Sequence, residues 1–139
     1  SPEIHLDIVR GGLPVFEARP DATGVAHVHS TDLASVVATQ STTTCTRVVP
    51  ISRGRVSGCV ILLPRVGTPS RESTRAVFLR SSVQLSDCVI ALRFASMGEA
   101  KRMECWLDHH WARLLDVYRG TGARYTTVHK LAAFLAEGN

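Results

Sequence analysis

The stretch VSGCVILLPRVGTPSRESTRAVFLRSSVQLSDCVIALRF, residues 56–94, decides the fold. Its opening, VSGCVILLP (56–64), is a continuous apolar run ended by proline and reads as the strongest strand of the chain. RAVFLR (75–80) and CVIALRF (88–94) read as two more strands. RVGTPSREST (65–74), with Gly67 and Pro69, is the loop after the first, and SSVQLSD is a turn or short connection after the second.

Upstream, EIHLDIV (3–9) alternates apolar and polar residues, the period of a half-buried strand. RGGLPVFEARPDATG is punctuated by glycine and proline as a loop or short edge structure, and VAHVH (25–29) is a short strand. STDLASVV offers Ser30 or Thr31 as the cap of a helical turn, and the threonine-rich ATQSTTTCTR (38–47) is a loop or edge strand. Downstream the period changes. Ala100, Met103, Leu107, Trp111, Leu114, Leu115 and Tyr118 fall at helical spacing, behind a capping box of Ser96 and Glu99 and ahead of a stop at Gly120. A second helix is expected from about Val128 to Glu137, capped by Thr127, with Leu131, Phe134 and Leu135 buried and Gly138 as its stop. The expected class is α+β: a mixed, mainly antiparallel curled sheet with a long helix and a short C-terminal helix.

The 139 residues fit one domain able to bury its own core. No apolar run is long enough for a membrane-spanning helix, and the start, SPEIHLDIVRGG, has no secretory pattern and reads as cut from a longer chain. Cys45, Cys59, Cys88 and Cys105 include no C-x-x-C pair, so neither a zinc knuckle nor a redox pair is indicated. Cys59 and Cys88, inside apolar runs, are expected as buried thiols, and the chain as cytoplasmic.

The charge is more informative. Net charge is +4, and 14 of the 16 basic residues are arginine, the side chain whose planar fork fits phosphates and guanine edges; a GC-rich genome gives the same preference. Arg47, Arg53, Arg55, Arg65, Arg71, Arg75 and Arg80 fall in one span whose only acid is Glu72. VYRGTGARYTTVHKLAAFL (117–135) adds Arg119, Arg124 and Lys130 in a glycine-hinged, hydroxyl-rich junction between the two helices, without an acid. One-sided charge of this kind points to a nucleic acid; solvated arginines, or arginines paired with acids on the long helix, are the competing account.

Catalytic chemistry finds little support. Pro20–Asp21 and Glu99-Ala100-Lys101 imitate pieces of a metal-dependent nuclease, yet Glu99 and Lys101 open a helix far along the chain from Asp21. His109 and His110 are adjacent on a helix and diverge by about 100°. His27 and His29 share a strand face and could hold a metal or phosphate, or simply hydrogen-bond within the fold. No P-loop, nucleophile elbow, dinucleotide loop or N-P-P-[YF] motif is present. No catalytic residue, metal or cofactor is expected.

Four segments then fall into a recognisable order: GVAHVHSTDL (24–33), VSGCVILLPRVGTPSR (56–71), LSDCVIALRF (85–94) and WLDHHWARLLDVYRGTGARYTTVHKLAAFL (106–135). Together they resemble the target recognition domains of restriction–modification systems, found in type I specificity subunits and in TaqI-like and type IIG methyltransferases. The resemblance implies a non-catalytic domain that reads a short double-stranded DNA site in the major groove for a methyltransferase or nuclease carried on another domain or subunit. It also implies that the loops Arg65–Arg75 and Arg119–Thr127 face DNA. The residues expected at the DNA are Arg53, Arg55, Arg65, Thr68, Ser70, Arg71, Arg75, Arg119, Thr121, Arg124, Tyr125, Thr126 and Lys130, with Gly120 and Gly122 opening main-chain amides to phosphate. The long helices that join paired recognition domains in type I subunits are missing. Two other functions remain open. One is a reader of modified DNA that recruits a nuclease, favoured by an apolar pocket of Pro64, Tyr125 or Trp106. The other is a protein-interaction module docking through Trp106 and Trp111.

Overall fold

The computed structural model describes residues 4–118 and 123–138. It is an α+β fold built on a six-stranded mixed sheet that is not closed. The strands are β1 (Leu6–Arg10), β2 (Pro20–Val28), β3 (Arg47–Val48), β4 (Arg55–Pro64), β5 (Ala76–Leu85) and β6 (Val89–Phe94), in the order β1-β6-β4-β5-β2-β3. Every neighbouring pair is antiparallel except β2 with β5, which run parallel. Among the described residues four α-helices accompany them: α1 (Leu33–Thr39), α2 (Met97–His109), α3 (Trp111–Asp116) and α4 (Val128–Leu135).

The sheet curls, and the hydrogen bonds show how tightly. Gly54 accepts from Leu85 N at 2.8 Å and Arg65 donates to Cys88 O at 2.8 Å. Residues 85 and 88 are three steps apart, so positions 54 and 65 lie within about 22 Å, whereas a straight strand would carry them about 36 Å apart. β4 therefore bends. The bend falls at Gly58, where the pairing slips from Val56↔Val83 to Gly58↔Leu79 and φ is +90°, a backbone region that L side chains rarely adopt. Gly11 closes the corner: its amide donates to Val89 O, and a Cβ there would sit 1.7 Å from Ser86 O.

The curl produces two cores. Inside it, Val60, Leu62, Val77, Leu79, Val83, Leu85 and Ala91 meet Val28, Leu33 and Val36. On the outer face, Ile61, Leu63, Ile90, Leu92 and Phe94 meet Met103, Leu107, Leu114, Leu131, Phe134 and Leu135 of the helices. β4 contributes alternate residues to both, which is why its sequence is a continuous apolar run and not an alternating one.

Several boundaries differ from the sequence reading. β5 runs on through Ser81 and Ser82 to Leu85, so the expected turn after Arg80 is strand. β2 starts at Pro20, inside the expected loop, because an edge position beside β3 tolerates proline. The single long helix is two: it breaks at His110, whose φ of −115° and ψ of 28° are not helical. Ser96 does cap α2 by accepting from Glu99 N, but the Glu99 carboxylate bonds His5 instead of completing a box. Thr127 caps α4 by accepting from Lys130 N. Cys59 and Cys88 are only partly buried; the buried thiol is Cys45, which burial first and Asp32 second push up to about 11. Gly120, read as a stop, lies outside the described residues.

Candidate nucleic-acid interface

The two loops expected at the DNA are joined to each other. Val66 and Tyr125 form an antiparallel bridge, Gly67 N donates to Arg124 O at 2.9 Å, and Thr126 N donates to Arg65 O at 2.8 Å. Beneath them the buried Tyr118 hydroxyl donates to Pro64 O at 2.7 Å, and burial raises its pKa above the usual phenol value. Residues 64–67 are thus held between the β5–β6 turn and the segment before α4. On this base Val66 and Tyr125 stay substantially exposed, and Lys130 Nζ sits 5.0 Å from the centre of the Tyr125 ring.

Arg65 is oriented from below: its Nε donates to Asp87 O at 2.7 Å. Arg53 approaches the same turn from the other end of β4. Its backbone carbonyl accepts from Gln84 Nε2 at 2.9 Å, and its side chain lies across Gly12, where a Cβ would come within 2.7 Å of Cγ. Gln84 and Asp87 are three residues apart, about 11 Å of chain, so the supports of Arg53 and Arg65 lie at the end of β5 and in the turn that follows it. Arg55 follows on β4, with a buried Nε that has no hydrogen-bond partner. Among the described residues, Arg53, Arg55, Arg65 and Arg124 make no ion pair.

Arg71 and Arg75 are placed differently. Arg75 Nη1 reaches Asp108 Oδ2 at 2.6 Å and Glu104 Oε2 at 3.9 Å, and Arg71 Nη1 reaches Asp108 Oδ1 at 3.3 Å. Arg71 also covers the Trp111 ring, with Cζ 5.2 Å from its centre. The Arg75 hydrogen bond holds the Asp108 carboxyl below its ordinary pKa. Glu104 and Asp108 are one helical turn apart on α2 and form the acidic face that receives both guanidinium groups. These two arginines are tied to the helix, where the sequence reading had them facing DNA. Ser70 accepts from Ser73 N at 3.1 Å and shapes its own turn. Thr126 is fully buried with no partner for its hydroxyl, which removes it from the surface. Thr68 is exposed. Arg119, Thr121 and Gly122 lie outside the described residues.

The other sequence candidates are occupied within the fold. His27 Nε2 contacts Leu13 O at 3.0 Å and His29 Nδ1 contacts Ser86 Oγ at 2.7 Å. Asp21 accepts from Thr23, and Glu99 accepts from His5. Among the described residues no three His, Cys, Asp or Glu side chains gather where a metal could bind. Trp106 packs among His110, Phe134 and Gly138. A cleft of about 430 Å³ lies elsewhere, lined by none of Pro64, Tyr125 and Trp106. Arg47, Phe78 and Arg80 line it; the sequence shows the two arginines only as charge and Phe78 only as part of a strand. No described helix is long and apolar enough to cross a membrane. No family model and no curated protein matches the chain.

Proposed function

We propose that this chain is a DNA-reading domain that binds a short double-stranded site and presents it to a methyltransferase or nuclease on another domain or subunit. The observation that carries the reading is the Val66–Tyr125 bridge, which unites two basic loops over 50 residues apart in sequence. The bridge sets Arg65 and Arg124 on adjoining segments, with Lys130 over the Tyr125 ring; Arg53, against Gly12 and Gln84, adds a further exposed guanidinium. Arg53, Arg65 and Arg124, which make no ion pair among the described residues, can meet phosphate without first breaking one. Thr68 and the Tyr125 hydroxyl add neutral donors beside them.

The test is selection from a random duplex library, followed by a salt series on the enriched site. A defined motif supports the reading. Three phosphate contacts, from Arg53, Arg65 and Arg124, at ~0.9 each give an expected slope of log K against log salt of about −2.7. Enrichment confined to modified DNA would replace site reading by recognition of the modification. No enrichment together with a flat salt series removes DNA binding altogether.

A further inference from the structure

We infer that the cleft between β2, β5 and the α1–β3 connection binds a single nucleotide, its base against Phe78 and its phosphate between Arg47 and Arg80. This site is separate from the Arg65–Arg124 surface and does not rest on the reading above. It exists because β2 and β5 diverge: they pair only at His27↔Gln84 and Val28↔Leu85. Beyond that point the β5 edge from Phe78 to Val83 is unpaired with β2 and lines an opening of about 430 Å³, within the ~300–1,000 Å³ of small-molecule sites.

The lining is specific in three ways. Phe78 is 51% exposed, although strand aromatics normally bury their ring, so one face is available for stacking. Arg47 and Arg80 are both exposed, and no carboxylate lines the cleft. Arg47 Nη2 is steadied by Gly24 O, which orients the guanidinium and leaves donors for an anion. Ser41, Thr42, Thr43, Ser81 and Ser82 supply hydroxyls, and the β5 edge supplies main-chain donors and acceptors for the polar rim of a base. An aromatic face, two cations and a polar edge without acids match a nucleoside monophosphate better than a bare anion, which has no use for Phe78, or an apolar ligand, which has none for the arginines. The nucleotide could come free from solution or be turned out of a DNA strand.

The experiment uses the full chain. Calorimetry is run with AMP, CMP, adenosine and inorganic phosphate, and anisotropy with a duplex carrying one bulged nucleotide against the same duplex fully paired. The expected result is nucleotide binding at least tenfold tighter than phosphate. Phe78→Ala and Arg80→Gln should each weaken it about tenfold with unchanged melting, since both side chains are exposed. Arg65→Ala with Arg124→Ala should leave mononucleotide binding intact, which separates this site from the duplex surface. A preference for the bulged duplex that Phe78→Ala abolishes identifies an extruded nucleotide as the source, and binding of free mononucleotides without that preference identifies the soluble one. Phosphate binding as tightly as AMP with Phe78→Ala silent, or no binding of either nucleotide and no bulge preference, overturns the inference.

Discussion

Arg65 and Arg71 stand six residues apart in the same basic loop, yet they face different chemistry. Arg65 donates to a backbone carbonyl and makes no ion pair among the described residues; Arg71 meets a carboxylate and a tryptophan ring. Arg53 and Arg124 side with Arg65, and Arg75 sides with Arg71. What separates the two groups is the neighbouring element. The first group gathers where the curled sheet brings main-chain turns together. The second lies under α2, which carries Glu104 and Asp108 on the face turned to β5. A count of arginines in the sequence treats the groups as one; the acids of α2 divide them.

The largest test strikes the corner that assembles the first group. Gly11→Ala places a methyl where Ser86 O already stands, and the contact involves backbone on both sides, so neither can yield cheaply. The expected loss is more than ~3 kcal/mol in denaturant unfolding. A loss below ~1 kcal/mol would mean the corner yields freely and does not fix the turn on which Arg65 rests. Gly58→Ala is the control: nothing lies within 4 Å of its Cβ, and only the φ of +90° opposes it. The expected cost there is about 1–2 kcal/mol.

Next in size is the contrast between pairs of substitutions. Arg65→Ala with Arg124→Ala should lower duplex affinity about 10–100-fold and flatten the salt slope by about 2, one phosphate for each residue. Arg71→Ala with Arg75→Ala should change the slope by less than about 0.5, while costing up to ~1 kcal/mol of stability through the lost pairing with Asp108. Equal losses of affinity from the two pairs would erase the distinction between them.

The sequence shows the elements better than the contacts. β4 and β6 are legible because burial on both faces leaves an uninterrupted apolar run. The second half of β5 is not, because Ser81 and Ser82 occupy the irregular stretch opposite the Gly58 bend, where polar residues are tolerated. The break at His110 is hidden because Leu107, Trp111 and Leu114 keep helical spacing across it. At the site, the basic character of both loops is visible in composition. Their union through Val66 and Tyr125 is not, since a long-range bridge leaves no periodic trace. The capture of Arg71 and Arg75 has the same origin: Asp108 is 37 and 33 residues away from them. Only the i, i+4 spacing of Glu104 and Asp108 hinted that α2 offered an acidic face.

That acidic face supplies the smallest and sharpest test. Asp108→Asn keeps the size of the side chain and removes the charge that holds Arg75 and Arg71. The Asp108 carboxyl is depressed in the folded state, first by the Arg75 hydrogen bond, so its contribution is complete above the unfolded value of about 3.9 and is lost as pH falls through the lower folded value. Wild type should therefore be more stable than Asp108→Asn by up to ~1 kcal/mol at pH 6–7, and the two should converge as the pH is taken below the ordinary carboxylate range. Thermal melts across that range check the sign. On the proposed reading, the same variant also asks whether charge or position would withhold Arg71 and Arg75 from DNA. Should carboxylates alone keep them away, releasing them will raise affinity for random duplex severalfold at pH 7 and steepen the salt slope by up to about 2. Should their place under α2 point them away from the duplex, melts will shift and binding will not. Either result marks the boundary between the arginines that hold the helix and those proposed to meet the phosphate backbone.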